Sequence, residues 1–255
     1  MNILLIEQHE LVDNRVLLHD RRAEHLVKIL KSREGDTVRV GVIDGAMGRA
    51  EIVSLKCRYP FMAELLVEFA GEAPPPLPNI DLLLALPRPI MLRRILSQAA
   101  ALGVGSVTLV NAGRVEKSFW NAQIMAKGAW REHLLHGLEQ GVDTRVPQVE
   151  LQRRFRPFVE DVLPARVKKY SHSLVAHPDA SSGLGAVVPS SPARTLLAIG
   201  PEGGWGDFEI KQLRAAGCIP FTMGPRILKV DTAVVALHSR LTFLSEIYES
   251  TRAVS

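Results

Sequence analysis

Hydrophobic and polar positions fall into two regimes that meet near residue 72. Before it the apolar runs are short. Leu26, Ile29 and Leu30 repeat at helical spacing within Arg21 to Leu30, while Thr37 to Val42, Gly48 to Ser54 and Leu65 to Phe69 read as strands. Glu34-Gly-Asp36 and Asp44-Gly45 supply turns between them. One helix and several short strands predict a small β-barrel-like module. Beyond residue 79, Ile80 to Leu86 and Ser106 to Val110 are near-continuous apolar runs alternating with helical stretches at Met91 to Leu102 and Ala122 to Gln140. Val146 to Leu151, Ser173 to Ala176, Thr195 to Ile199 and Pro220 to Met223 supply further strands, and Phe208 to Ala216 and Asp231 to Tyr248 further helices. Strands without a polar face, alternating with helices, predict a parallel sheet covered on both sides. The second module is therefore expected to be α/β. Between the two lies Glu72-Ala-Pro-Pro-Pro-Leu-Pro78, whose prolines fix φ, remove backbone donors and favour an extended linker. The expected division is residues 1–72, a linker at 73–78 and a second domain over 79–255.

Composition narrows the class. A chain of 255 residues, 47% of them apolar, buries a substantial core, which excludes disorder as its dominant state. Cys57 and Cys218 form no CxxC pair, so neither a disulfide scaffold nor a cysteine metal site is expected. The run Ile3 to Ile6 ends at Glu7, too short for a signal-peptide core, and no later stretch reaches the roughly 18 apolar residues of a membrane helix. A soluble, cytoplasmic protein is expected. The net charge of +4 is unevenly placed: residues 1–72 hold 10 basic and 12 acidic side chains, residues 88–175 hold 14 and 7, and residues 176–255 hold 7 of each. The central excess includes Arg88, Arg93, Arg94, Arg153, Arg154, Arg156, Arg166, Lys168 and Lys169. Any one cluster is as readily a solvated helix face; together they favour phosphate contacts, because neutralising phosphates releases counterions.

Two loops carry the chemical signal. Leu196 to Ile199 runs into Gly200-Pro-Glu202-Gly203-Gly204-Trp-Gly206 and then into a helical pattern, which brings backbone close to a ligand at a helix N-terminus. Its spacing is neither GxGxxG nor GxxxxGK[ST], and it holds no lysine. Glu202, Asp207 and Glu209 would repel a phosphate, so a neutral or cationic ligand is expected there. The second loop, Phe221-Thr-Met223-Gly224-Pro225-Arg226-Ile-Leu228-Lys229-Val-Asp231-Thr232-Ala233, again passes from a strand through a glycine turn into a long helix. Arg226 is either a surface arginine at a turn or one held where anionic charge develops or a phosphate lies.

The pairing of Gly200-Pro-Glu-Gly-Gly204 with Met223-Gly-Pro-Arg-Ile-Leu-Lys-Val-Asp-Thr-Ala233 resembles the signature of the RsmE family, the 16S ribosomal RNA uridine-N3 methyltransferases of the SPOUT superfamily. His25-Leu-Val-Lys-Ile-Leu30 with Gly35-Asp36 and Asp44-Gly45 is similar to that family's N-terminal PUA-like RNA-binding domain. Leu102-Gly103-Val104, Glu139-Gln140 with Arg145-Val-Pro147, and His177-Pro178 follow in the family's order. The resemblance implies an α/β domain with a deep trefoil knot, S-adenosylmethionine as cofactor, a homodimer with the cofactor pocket at its interface, and ribosomal RNA of the small subunit as partner. It places the cofactor against Ile199, Gly200, Pro201, Glu202, Gly203 and Gly204, against Met223, Gly224, Pro225 and Leu228, and beside His177. Three departures bear on the RNA side: Ala101-Leu-Gly103 replaces the usual Glu-Leu-Gly, Val142-Asp143-Thr144 lacks the arginine often found there, and Lys229-Val-Asp231-Thr232 stands for Arg-x-Glu-Thr.

Methylating uracil N3 requires loss of its proton and an in-line approach to the methyl donor, so orientation, a base and anion stabilisation are needed. Arg226 is the expected anion stabiliser or phosphate anchor. Glu202 or Asp231 is the expected base, or orients a water or the arginine; Asp231 equally suits a helix N-terminal carboxylate. N3 lies on the Watson–Crick edge, so the target has to be unpaired, and a separate RNA grip is sensible. Arg21, Arg22 and Lys28 of the first module and Arg88, Arg93 and Arg94 of the second are the expected RNA contacts. Other classes remain open: a related methyltransferase acting on another RNA nucleotide, a non-catalytic RNA-binding protein of the same fold, and a Rossmann-type nucleotide enzyme, which the missing GxGxxG disfavours.

Overall fold

The computed structural model describes residues 1–72, 79–188 and 194–253. The expected linker at 73–78 lies outside them. The chain divides into two compact units, Met1–Pro76 with Leu135–Val146, and Leu77–Leu134 with Pro147–Ser255. The segment Leu135–Val146, read from sequence as part of the second domain, thus groups with the first unit.

The first unit is a five-stranded sheet of order β1-β3-β4-β5-β2, built from β1 (Leu4–Ile6), β2 (Arg15–Leu18), β3 (Thr37–Val42), β4 (Met47–Lys56) and β5 (Met62–Glu72). β1 and β3 are parallel; the other pairs are antiparallel. Alternation along β4 sends Ala50 and Ile52 inward, where they meet Leu18, Val40, Leu65 and Leu26 of helix α1 (Arg21–Lys28). Asp20 caps α1 by accepting the Arg22 amide at 2.9 Å. β1 and β2, three and four residues long, are too short to announce themselves by period, and sequence reading passed over both.

The second unit is a six-stranded, all-parallel sheet of order β11-β9-β10-β6-β7-β8. Its strands are β6 (Ile80–Ala85), β7 (Ser106–Val110), β8 (Gln148–Gln152), β9 (His172–Ala176), β10 (Thr195–Ile199) and β11 (Ile219–Phe221). Every residue of β6 and of β10 is buried, as strands covered on both faces must be. Its helices are α2 (Pro89–Ala101), α4 (Phe155–Pro157), α5 (Leu163–Val167), α6 (Leu184–Val187), α7 (Asp207–Ala215) and α8 (Val230–Ala253), with a π-helical turn at Phe158–Val162, while α3 (Arg131–Gly141) groups from Leu135 onward with the first unit. The helix expected from Ala122 begins only at Arg131, because Gly128 at φ +80° breaks the run and leaves short helical turns before it. At the amino edge of the sheet, buried Asp81 of β6 accepts from Ser106 Oγ, Tyr170 Oη and the Arg194 guanidinium. Burial and the Asp81 charge push the Tyr170 phenol up to about 12. No helix of the described residues is long and apolar enough to cross a membrane, and no metal-ligating cluster occurs among them.

Candidate active site

The chain order β6-β7-β8, then a return to β9 with β10 slotted between β9 and β6, creates a switch point, and ligands of such sheets bind beyond the strands' carboxyl ends. At that edge the exits of β9, β10 and β11 and the start of α8 line an open cleft.

β9 contributes Ala176, His177 and Pro178 to it. The His177 amide donates to the Phe221 carbonyl at 2.9 Å, and its Nδ1 accepts from the Asp179 amide at 3.2 Å, so the ring is oriented by its own turn. β10 contributes Ile199, Gly200, Pro201, Glu202, Gly204 and Trp205. This turn closes through the Gly204 amide on the Pro201 carbonyl at 2.8 Å, with Gly204 at φ +73°. A Cβ on Gly200 would stand 3.0 Å from the Trp205 amide nitrogen, so any side chain there would press on the turn. Two ties come from neighbouring strand exits. Glu202 Oε1 accepts the Arg88 amide at 3.0 Å beyond β6, and Arg114, beyond β7, donates to the Gly203 carbonyl. Glu209, 5% exposed in the first turn of α7, accepts from both the Gly206 and Gly113 amides, fastening the glycine loop to the exit of β7.

β11 and the loop after it contribute Thr222, Met223, Gly224, Arg226, Ile227 and Leu228. Thr222 Oγ1 accepts the Gly224 amide at 3.2 Å, and Gly224 lies at φ +105°, which favours glycine. Arg226 is exposed on the cleft wall and has no carboxylate partner among the described residues.

The two loops therefore meet in one cleft, which brings together every cofactor residue expected from sequence except Gly203 and Pro225. Of the three catalytic candidates, Arg226 and Glu202 line it; Asp231 does not. Asp231 Oδ1 accepts the Thr232 amide at 2.9 Å, and Oδ2 lies 3.9 Å from Arg94 Nη1. That is the helix N-terminal role, with Arg94 as counter-ion. Sequence reading missed Trp205, Val230, Ala233 and Leu237 as lining residues. The last three are spaced three and four apart on α8, a helical face that was visible but had no ligand assigned to it.

The expected RNA contacts divide sharply. Arg88 and Arg93 are exposed. In the first unit, Arg22 is spent: its guanidinium donates to both Glu10 oxygens, both Asp20 oxygens and the Leu5 carbonyl, using all five donors. This overturns the RNA-contact reading of Arg22, because a side chain 11% exposed with no donor left has nothing to offer a phosphate. Arg21 forks onto Glu139, whose side chain is 2% exposed, and Lys28 pairs with Glu24 at 2.6 Å.

The sequence pattern of the RNA methyltransferase domain family matches residues 73–242. A Treponema pallidum protein named ribosomal RNA small subunit methyltransferase E is 30% identical over 239 residues, covering 92% of this chain and 88% of that one. The chain belongs to this RsmE family of RNA methyltransferases. A second relative, ribosomal RNA small subunit methyltransferase E 1 of Borreliella burgdorferi, is 25% identical over 236 residues, 92% of this chain and 95% of that one. Among solved folds, the Neisseria gonorrhoeae methyltransferase E bound to S-adenosyl methionine superposes with a TM-score of 0.73 at 23% identity, covering 96% of this chain and 98% of that one. The RsmE fold, with its parallel sheet, is thus the fold of this chain.

Proposed function

We propose that this protein transfers a methyl group from S-adenosylmethionine to N3 of a uridine in small-subunit ribosomal RNA. The observation that carries the reading is the meeting of two glycine loops in one cleft with an unpaired arginine on its wall. The cleft suits the cofactor: Ile199, Leu228, Val230 and Leu237 offer apolar walls for a purine, the bare backbone of Gly200 and Gly204 admits close approach, and Glu202 supplies a carboxylate for a cation. When bound, the cofactor supplies an electrophilic methyl on a sulfonium.

The chain's own residues would do the rest. Glu202 accepts the N3 proton, or orients the water that does, as the N3–H bond gives way to N3–CH3. Arg226 meets the negative charge shared by the two uracil oxygens, and without a carboxylate neighbour its charge is fully available. Asp231 acts indirectly, holding Arg94 at the head of α8. His177 forms part of the cofactor wall.

The wider architecture follows the same reading: a PUA-like RNA-binding module at residues 1–72, a linker at 73–78, and a knotted methyltransferase domain over 79–255. Phe243, Ile247 and Val235 stand 59%, 44% and 37% exposed on α8, which supports a homodimer that covers this helix. Lys28, Arg88, Arg93 and Arg94 remain its RNA contacts, Arg21 being engaged by buried Glu139, and the cytoplasm its location. The test is mass spectrometry of small-subunit RNA incubated with cofactor and either the protein or Arg226→Ala. The expected result is one added methyl on uridine N3, with the variant slowed about a hundredfold or more and its cofactor affinity kept. Unchanged turnover in the variant removes Arg226 from the chemistry; no methylated uridine with the intact protein refutes the reading.

A further inference from the structure

We propose that the exits of β6, β7 and β8 form a cationic row that holds the RNA backbone beside the cleft, with Arg114, Arg153 and Arg154 as contacts that the motifs did not single out. The inference rests on the methyltransferase reading and adds to it a path for the RNA. Sheet order is its first support: β10, which leads into the glycine loop, neighbours β6, then β7, then β8. Arg88 follows β6, Arg114 follows β7, and Arg153 and Arg154 follow β8, all exposed. At ~4.8 Å between neighbouring strands, the row reaches ~14 Å from the glycine loop.

Two of its members, Arg153 and Arg114, are held in place without being neutralised. The Arg153 guanidinium lies over the Trp120 ring, 5.1 Å from its centroid. Trp120 is 7% exposed and donates its Nε1–H to Asn111 Oδ1 at 3.0 Å, so the exit of β7 supports the arginine that follows β8. Stacking occupies the flat face of the guanidinium and leaves its N–H fork free for phosphate oxygens. Arg114 is anchored on the Gly203 carbonyl, which fixes the side chain and keeps its charge. None of Arg88, Arg114, Arg153 and Arg154 has a carboxylate partner among the described residues. Of the acidic side chains in the linked loops, Glu202 and Glu209 accept backbone amides, and Glu202, Glu116 and Asp207 are exposed to solvent. Exposed guanidinium forks along one edge, two of them fixed by a ring and a carbonyl and none paired with a carboxylate among the described residues, fit a single-stranded phosphate backbone.

The experiment compares two doubly substituted full-length proteins that lose equal charge at opposite edges of the sheet. Arg153→Ala with Arg154→Ala removes the far end of the row; Lys168→Ala with Lys169→Ala removes two exposed lysines just before β9, at the amino edge. Binding of a fluorescent oligouridylate is followed by anisotropy across a salt series. The expected result is a tenfold or greater loss of affinity for the arginine pair, with the salt slope reduced by about 0.7 for each phosphate that is no longer neutralised. The lysine pair is expected to stay within twofold, and Arg153→Lys with Arg154→Lys to recover the slope. Equal losses in both pairs, no loss in the arginine pair, or a change in that pair's oligomeric state by light scattering overturns the proposal. Because anisotropy reads binding without methyl transfer, a failed methylation assay would sink the functional reading and leave this test standing.

Discussion

The arginines of helix α1 and those at the carboxyl edge of the second sheet share a side chain and little else. On α1, Arg22 spends every donor on Glu10, Asp20 and the Leu5 carbonyl, and Arg21 forks onto buried Glu139. At the sheet edge, Arg88, Arg153, Arg154 and Arg226 meet no carboxylate among the described residues. Counting charges along the chain treats the two groups alike. What separates them is whether a carboxylate is folded against the guanidinium: paired, an arginine holds structure together; unpaired, its charge is available to a ligand.

Breaking the first group should therefore register as lost stability and breaking the second as lost binding. Arg22→Ala leaves Glu10 and Asp20 without their cation, and losing the mostly buried Arg22–Glu10 pair costs about 3 kcal/mol, the half-exposed Asp20 adding little. Arg154→Ala, exposed and unpaired, should move stability by less than about 0.5 kcal/mol. Urea unfolding of the two variants checks the contrast; similar midpoints would dissolve it. Glu209→Gln probes a buried carboxylate held by backbone amides. Its amide NH2 must face either the Gly206 or the Gly113 N–H, so one donor is orphaned and about 2 kcal/mol is lost. Because that donor shapes the glycine loop, cofactor affinity measured by calorimetry should fall several-fold, while an unfolding shift with unaltered cofactor affinity would make Glu209 purely structural.

The contrast also explains what sequence could disclose. The doubly buried strands β6 and β10 announce themselves as apolar runs, and the glycine loops by composition, because in both cases local sequence is sufficient cause. β1 and β2 owe their existence to pairing with β3 and β5, a non-local cause that three or four residues do not encode. The same holds for charge. Nothing near Arg21 in sequence points to Glu139, 118 positions away, or marks Trp120 as the platform for Arg153. Asp231 was legible both as a base and as a helix-terminal carboxylate, and its place outside the cleft lining, 3.9 Å from Arg94, was not legible at all. The long helix expected from Ala122 failed for a third reason: propensity favours it, and one left-handed glycine at 128 forbids it.

Acid should act on the fold in two steps, first through buried histidines and then through the carboxylates beside Arg22. His172 on β9 and His238 on α8 are 9% and 8% exposed, and burial holds both pKa values below the ordinary 6.5. The folded state keeps them neutral while the unfolded chain takes up protons below that value. Their contribution is therefore undiminished above pH 6.5 and declines as pH falls, by up to about 1.4 kcal/mol per histidine per pH unit until the folded rings themselves protonate. His25 in the first unit is likewise lowered, chiefly by burial. The Arg22 hydrogen bond lowers Glu10; for Asp20, burial alone would raise the pKa, but hydrogen bonds from Arg22 outweigh it. What these two carboxylates add is thus present above their ordinary range near 4 and lost only as pH falls further. Thermal unfolding followed from pH 7.5 to 3 should decline first through the histidines, and His172→Phe should flatten that first limb; an unaltered profile would deny His172 its part.

The smallest effect sharpens the comparison most, because Lys28 sits on the boundary between the groups. It lies on α1 beside the spent arginines, yet its side chain is 55% exposed and its partner Glu24 is 49% exposed. An exposed pair four residues apart contributes about 0.3–0.5 kcal/mol, and the ammonium 5.0 Å from the Phe61 ring centroid adds little more. Lys28→Ala should therefore cost less than about 1 kcal/mol in urea. A solvated pair exchanges partners easily, so a passing phosphate can take the lysine from Glu24 where it cannot take Arg22 from Glu10 and Asp20. Lys28→Ala should accordingly lower the salt slope of oligouridylate binding by up to about 0.7, the share of one neutralised phosphate. A slope unchanged in Lys28→Ala but reduced in the Arg153 and Arg154 pair would assign the RNA surface to the second unit alone.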